Sequence, residues 1–262
     1  MLSLNHRYKA ADQLARKPLI ILHGLFGSSA NWMSFMPKFS QYRDVYAIDL
    51  RNHGRSPHDR IMTIYEMALD IEQFMESHKI DQAHILGHSL GGKVAMELAL
   101  CWPEKVSSLI VGDIAPFAYT RHDREPMLRA IKDLDLDFFR NRDEVDEALK
   151  QAIPNNGIRL FMLTNLQRQK DGMKWRCNME AIYNHQQEIN SFPETDKQYS
   201  GKTTFIAGSN SDYLTPDLYP SCKNYFPNAD IEVIQDAGHW LHAEKPDEFT
   251  ATVLEHLKDS NV

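Results

Sequence analysis

Ala83-His84-Ile85-Leu86-Gly87-His88-Ser89-Leu90-Gly91-Gly92-Lys93 is the stretch whose reading decides the fold. Its centre, Gly87-His88-Ser89-Leu90-Gly91, has the form Gly-x-Ser-x-Gly. An apolar Ile85-Leu86 leads in, and Val94, Ala95, Leu98, Ala99 and Trp102 follow at helical spacing. Strand, tight turn with serine at the apex, then helix is the context that a nucleophile elbow requires. The glycines answer a steric demand: the turn strains the serine backbone, and a side chain on either flank would collide with the neighbouring strand or helix. The plainer reading is a Gly-rich turn with a capping serine. The strand-to-helix context favours the nucleophile.

On both sides of the elbow, strands alternate with helices. Pro18–His23 is a continuous apolar run of the kind buried on both faces, and it ends in the turn His23-Gly24-Leu25-Phe26-Gly27-Ser28. Ser28–Asn31 are set to cap a helix carrying Trp32, Phe35, Met36 and Phe39. Val45–Ile48 predicts a strand, Asp49–Pro57 a polar loop, and Thr63 the cap of a helix bearing Met67, Ile71, Phe74 and Met75. Val106–Asp113 predicts the next strand. Residues 1–17 predict one or two short edge strands. This rhythm implies an α/β fold, a mostly parallel central sheet flanked by helices. Ligands then bind beyond the carboxyl ends of the strands, where His23, Asp49, Ser89 and Asp113 fall.

From 116 to 200 the rhythm changes to successive helical patterns, Met127–Leu136, Val145–Ile153, Gly157–Leu166 and Asn178–Ile189, without a convincing strand. This segment predicts a helical lid (cap) inserted into one core formed by 1–115 and 201–262. Strands resume at Thr203–Gly208 and Ile231–Ile234, and the last helix starts at Pro246-Asp247-Glu248.

The chain has 262 residues, 42% of them hydrophobic, enough to bury a substantial core as one unit. Its net charge of −7, without a basic run, argues against a nucleic-acid partner. No apolar run is long enough to span a membrane, and Met1–Lys17 lack the apolar region of a secretion signal, so a cytoplasmic protein is expected. Cys101, Cys177 and Cys222, far apart and odd in number, fit reduced structural thiols. No metal-ligand spacing appears, and no Gly-x-Gly-x-x-Gly follows the first strand, so neither metal nor dinucleotide cofactor is expected. The pattern says nothing about oligomeric state.

A serine hydroxyl needs a base to take its proton. His239, in Ala237-Gly238-His239-Trp240, follows the last strand and precedes the last helix, and it comes after Ser89 in the chain. His242 is its chief rival. His88 reads as the variable position of the elbow, and His6, His58, His78 and His256 read as solvated. The acid that orients His239 has two candidates. One is Asp212, displaced by one from the usual position after the strand Thr203–Ala207, which Ser211 occupies; the other is Asp113, at the end of the strand before the lid. Placement favours Asp113. Their plainer roles are a turn residue for Asp212 and a cap for Asp113. The oxyanion needs preorganised N–H donors. Leu90, at the start of the elbow helix, supplies one; the other comes from the His23–Gly27 turn, at Leu25 or Phe26.

His23-Gly24-Leu25-Phe26-Gly27-Ser28, Asp49-Leu50-Arg51-Asn52-His53-Gly54-Arg55-Ser56, the elbow, Asp113-Ile114-Ala115-Pro116 and Gly238–Pro246 run through nearly the whole core. Together they resemble the serine esterases of the α/β-hydrolase superfamily, in particular the bacterial YbfF group. The resemblance implies an α/β-hydrolase fold and an esterase acting on short to medium acyl esters, and on acyl-CoA thioesters, without a cofactor. It implies the acid at Asp113, with a serine, here Ser211, at the usual acid site. Asp212 departs from the group, which has a non-acidic residue there, and so stands as a backup acid. The lid, the least similar part, is expected to form most of the acyl pocket, with Tyr119, Phe161 and Trp175 as apolar walls and His23 and Trp240 beside the substrate. The same triad also serves C–C bond hydrolases, lyase-type synthases and haloperoxidases, and the same core serves non-enzymatic ligand receptors.

Overall fold

The computed structural model describes residues 2–12, 16–41, 43–119, 124–170 and 172–258. The strands are β1 (His6–Lys9), β2 (Arg16–Leu22), β3 (Arg43–Ile48), β4 (Ala83–His88), β5 (Val106–Gly112), β6 (Leu166–Gln169), β7 (Gly172–Trp175), β8 (Thr203–Gly208) and β9 (Ala229–Ile234). The helices are α1 (Met36–Phe39), α2 (Ile64–Ser77), α3 (Leu90–Cys101), α4 (Arg124–Lys132), α5 (Arg142–Leu149), α6 (Asn156–Leu163), α7 (Met179–Asn184), α8 (Gln186–Asn190), α9 (Tyr219–Tyr225), α10 (Leu241–Glu244) and α11 (Pro246–His256). Seven strands form one sheet in the order β1-β3-β2-β4-β5-β8-β9, parallel except for the edge strand β1.

The apolar runs are continuous because both faces of the sheet are covered. Along β2, Ile20 and Leu22 enter one buried cluster with Met67, Ile71, Val94 and Leu98, whereas Leu19 and Ile21 enter another with Trp32, Phe39, Phe249 and Val253. β4 and β5 divide in the same way, Ile85, Leu109 and Val111 on the first face and Leu86 and Ile110 on the second. Register then levels the carboxyl ends: Gly87 pairs with Leu22 on one side and with Val111 on the other. His23, Ser89 and Asp113 therefore leave the sheet along one edge.

Between β5 and β8 the chain forms α4 to α8, whose Leu128, Val145, Leu149, Met162 and Ile182 join the first core cluster. Three expectations for local structure are corrected. The segment does contain strands, the antiparallel pair β6–β7, too short and polar to show a period. The helix expected over Asn178–Ile189 is broken at His185 into α7 and α8. The helix expected to carry Trp32 to Phe39 is a 3-10 turn, Ser29–Trp32, followed by the four-residue α1; all four apolar side chains are buried regardless. Thr63 does cap α2, accepting the Glu66 N–H at 3.2 Å.

The loop after β3 is a buried polar scaffold. Arg51 grips Asp70 of α2 through Nε at 2.5 Å and Nη2 at 2.7 Å, with both side chains buried. Asp49 accepts N–H bonds from Ser29 at 2.6 Å and Arg55 at 2.9 Å. Burial alone would raise its carboxyl, but these donors outweigh burial and hold it below its ordinary value. Asp49 thus ties loops together and does not line the space above Ser89, contrary to its expected place on the rim.

His256 is likewise not solvated. It is buried, with Nδ1 2.8 Å from Thr204 Oγ1 and Nε2 2.8 Å from Ser108 Oγ. Burial pushes His256 down to about 3, and His53 down to about 3, from 6.5. Both rings stay neutral in the fold but take up a proton in the unfolded chain below about pH 6.5. Stability contributed by their neutral burial is therefore complete above pH 6.5 and is lost as pH falls toward 3. Each ring should tilt unfolding free energy by about 1.4 kcal/mol per pH unit in that window. Urea unfolding from pH 7 to 4.5 should show the slope, and His256→Gln should remove one ring's share; an unchanged slope in the variant would refute the assignment.

Candidate active site

The elbow holds Ser89 at φ 53, ψ −117, a conformation that costs a non-glycine residue energy and projects its side chain from the turn. A Cβ on Gly87 would stand 2.1 Å from the Gly91 carbonyl oxygen, and one on Gly91 would stand 2.4 Å from the Leu22 carbonyl oxygen. The Ser89 N–H donates to the Gly112 carbonyl at 2.9 Å, fixing the apex to β5.

His239 reaches this serine from the loop between β9 and α10. Ser89 Oγ is 3.0 Å from His239 Nε2, and His239 Nδ1 is 2.7 Å from Asp113 Oδ2. Asp113 is fully buried at φ 50 just after β5; the His239 side chain is 23% exposed. The carboxylate takes two further donors, the Gly208 N–H at 3.1 Å and the Ser211 hydroxyl. Asp212 lies exposed on the loop after β8, whereas Ser211, at the usual acid position, supports the acid of the neighbouring strand. A serine, an imidazole and a buried carboxylate in this chain can move a proton off the hydroxyl and hold the resulting imidazolium.

The turn after β2 lies against the elbow. A Cβ on Gly24 would come within 3.1 Å of His88 Nδ1 and 3.3 Å of Ser89 Cβ. His23 donates from Nδ1 to the Gly24 carbonyl at 2.8 Å and accepts the Leu50 N–H at Nε2, at 3.0 Å. The Gly27 N–H closes the turn on the Gly24 carbonyl at 2.9 Å. Phe26 takes φ 63, and its carbonyl accepts from Asn165 Nδ2 at 2.8 Å. Leu25 and Leu90 both border Ser89, and the Leu90 N–H opens α3, where amides lack intrahelical acceptors.

A cavity of about 480 Å³ stands over Ser89 and His239. Its apolar walls include Met127, Ile158, Phe161 and Met162 from the insertion and Phe26 and Trp240 from the core. His23, Leu25, Phe161 and Trp240, all singled out from the sequence, border it. Trp175 does not: it stands on β7, outside this lining, where a four-residue strand fixes its side chain elsewhere. Tyr119 borders a much smaller space on another side of Ser89, and its hydroxyl links Ala115 N–H, at 2.9 Å, to the Tyr213 carbonyl.

Four further residues brace the site; Tyr213 and Lys93 carried no sequence signal, and His242, the rival base, stands apart from Ser89 behind His88. Tyr213 stacks on the His239 ring at 3.8 Å. His88 is buried, and its Nε2 donates to the His239 carbonyl at 2.8 Å. His242 packs 4.5 Å from His88, and burial pushes it down to about 4, so it is neutral near pH 7. Lys93, buried one turn into α3, donates to the carbonyls of Ile189, Asn190 and Ser191 at 3.2, 2.6 and 2.7 Å. Among the described residues no group of three or more His, Cys, Asp and Glu side chains is placed to hold a metal.

Comparison with known proteins identifies the fold family. The family model described as alpha/beta hydrolase fold matches residues 17–246. The chain is 39% identical over 248 residues to the sn-1-specific diacylglycerol lipase ABHD11 of Danio rerio, covering 92% of this chain and 78% of that one. It is 30% identical to esterase YbfF of Escherichia coli over 98% of this chain and 100% of the other. Among solved structures, a marine microorganism esterase superposes with a TM-score of 0.93 at 37% identity, over 98% of this chain and 100% of that chain.

In this geometry Asp113→Asn should slow acylation of Ser89 by an electrophilic reagent by roughly 10⁴-fold. Asp212→Asn should leave it unchanged. Single-turnover kinetics of the two variants decide between the carboxylates, and the reverse order would remove Asp113 from the relay.

Proposed function

The chain belongs to the α/β-hydrolase family, and on that premise we propose that it cleaves carboxylic esters through an acyl-enzyme on Ser89. The observation that carries this reading is the unbroken relay Ser89–His239–Asp113, with contacts of 3.0 and 2.7 Å, opening into an apolar cavity. His239 takes the Ser89 proton as the hydroxyl attacks the ester carbonyl. Asp113 holds the ring through Nδ1–H and balances the charge of the imidazolium. The oxyanion forms beside the N–H groups of Leu25 and Leu90, on the turn after β2 and at the start of α3. His239 returns its proton to the departing alkoxide. Water, activated by the same imidazole, then releases the acid and restores Ser89.

Residues 116–200 act as the lid, supplying the apolar wall of the cavity and excluding water from the relay. Esters of short to medium acyl chains fit such a cavity. Acyl-CoA thioesters fit less well, because the cavity lining contains Glu244 and, among the described residues, no Lys or Arg to meet the phosphates of coenzyme A.

A fluorophosphonate probe should label the protein at Ser89 alone, and p-nitrophenyl esters should be turned over. Ser89→Ala should abolish labelling and lower kcat by on the order of 10⁶-fold. Labelling or turnover that persists in Ser89→Ala sinks the proposal.

A further inference from the structure

Ser89 borders two spaces of very unequal size. One is the cavity of about 480 Å³, whose walls include His239 and Trp240. The other, of about 20 Å³, is bordered by the apolar side chains of Leu25, Leu90, Ile114 and Ile189, by Tyr119 and Tyr213, and by Lys93 and Asn190, and His239 is not among its walls. A volume of that size holds about one water-sized group, and therefore about one methyl.

The tetrahedral carbon on Ser89 carries four substituents: Oγ, the oxyanion, the leaving oxygen and the acyl chain. The oxyanion takes the direction of the Leu25 and Leu90 amides. The leaving oxygen must come within hydrogen-bond reach of the imidazole that returns its proton. That imidazole borders the large cavity and not the small space. The alkoxy group therefore occupies the large cavity, and the acyl chain is left with the small space. The walls of that space are held firmly. The Tyr119 hydroxyl is bonded to the Ala115 N–H and the Tyr213 carbonyl, the Ile189 carbonyl is held by Lys93, and Tyr213 lies flat on His239. Expansion to admit a longer chain would have to break one of these ties.

We propose, resting on the esterase reading above, that the substrate is an acetyl-sized ester of a bulky, uncharged, apolar alcohol. The expected roles of the two spaces are thereby exchanged: the cavity roofed by the insertion receives the alcohol, and the small space receives the acyl group. In the acylation step the bond from Ser89 Oγ to the carbonyl carbon forms as the carbon–alkoxy bond breaks. The alkoxide takes the His239 proton and leaves as the alcohol. Water then adds to the acyl carbon, gives up a proton to His239, and the short acid departs as Ser89 Oγ is reprotonated.

Octyl acetate and ethyl octanoate test this directly, being isomers of similar intrinsic reactivity that place the long chain on opposite sides of the ester. With the wild-type protein in a pH-stat, kcat/KM for octyl acetate should exceed that for ethyl octanoate by about 100-fold or more, since an excess methylene in a filled pocket costs tenfold or more. Ile189→Ala, which enlarges the small space, should raise kcat/KM for octyl butyrate relative to octyl acetate by about tenfold. Equal rates on the two isomers, or preference for ethyl octanoate, overturns the assignment and leaves the esterase reading intact. Failure to turn over either isomer or p-nitrophenyl acetate overturns both.

Discussion

The structure depends on how closely three pieces of backbone approach one another at Gly87 and Gly91. With the Leu22 carbonyl packed against Gly91 and the Gly91 carbonyl packed against Gly87, there is no room for a single added carbon. This contact forces α3 to leave the sheet at once, which throws Ser89 into its strained conformation and points the open amides of the helix at the space beside it. It also brings the turn after β2 onto the elbow, so the two amide-bearing segments pack side by side. The strain is tolerable because the surrounding strands are buried on both faces and cannot relax.

Electrostatics completes what packing begins. Asp113 is a buried carboxylate, and a buried charge persists only when its oxygens are satisfied. Three donors meet it, from His239, Gly208 and Ser211. Two of these come from the neighbouring strand and its loop, so the acid and the sheet are braced together. The close approach of the Gly208 position to the carbonyls of Ala237 and Gly238 presses the His239 loop onto the same strand end. The carbonyl of His239 is held in turn by His88, next to the serine, so nucleophile and base are linked through the backbone as well as through their side chains.

Much of this was legible in the sequence because it follows from local rules. Continuous apolar runs marked strands covered on both faces, and the run-in to Gly-x-Ser-x-Gly with its helical sequel marked the elbow. What was not legible depends on partners far away in the chain. Placement favours Asp113 over Asp212 but does not decide between them, since the choice turns on which strand end faces the His239 loop. Trp175 looked like a pocket wall because aromatic residues in an insertion read alike until the short β6–β7 pair fixes their direction. His256 reads as solvated from the sequence, and only the facing Thr204 and Ser108 explain its burial. The contacts of Lys93, His88 and Tyr213 are illegible for the same reason: a buried cation or ring shows its purpose only beside the carbonyls or the imidazole that it meets.

The acid that meets His239 stands on β5, which frees the loop after β8 of that duty. The loop offers Ser211 as a brace and Tyr213 as a ring lying on His239 and as a wall of the small space, and its Asp212 faces solvent. Such a division of labour separates two kinds of inheritance. Substitutions that reshape the loop can drift through a lineage and retune what the molecule selects, while the proton relay, anchored in the strands, passes on unaltered.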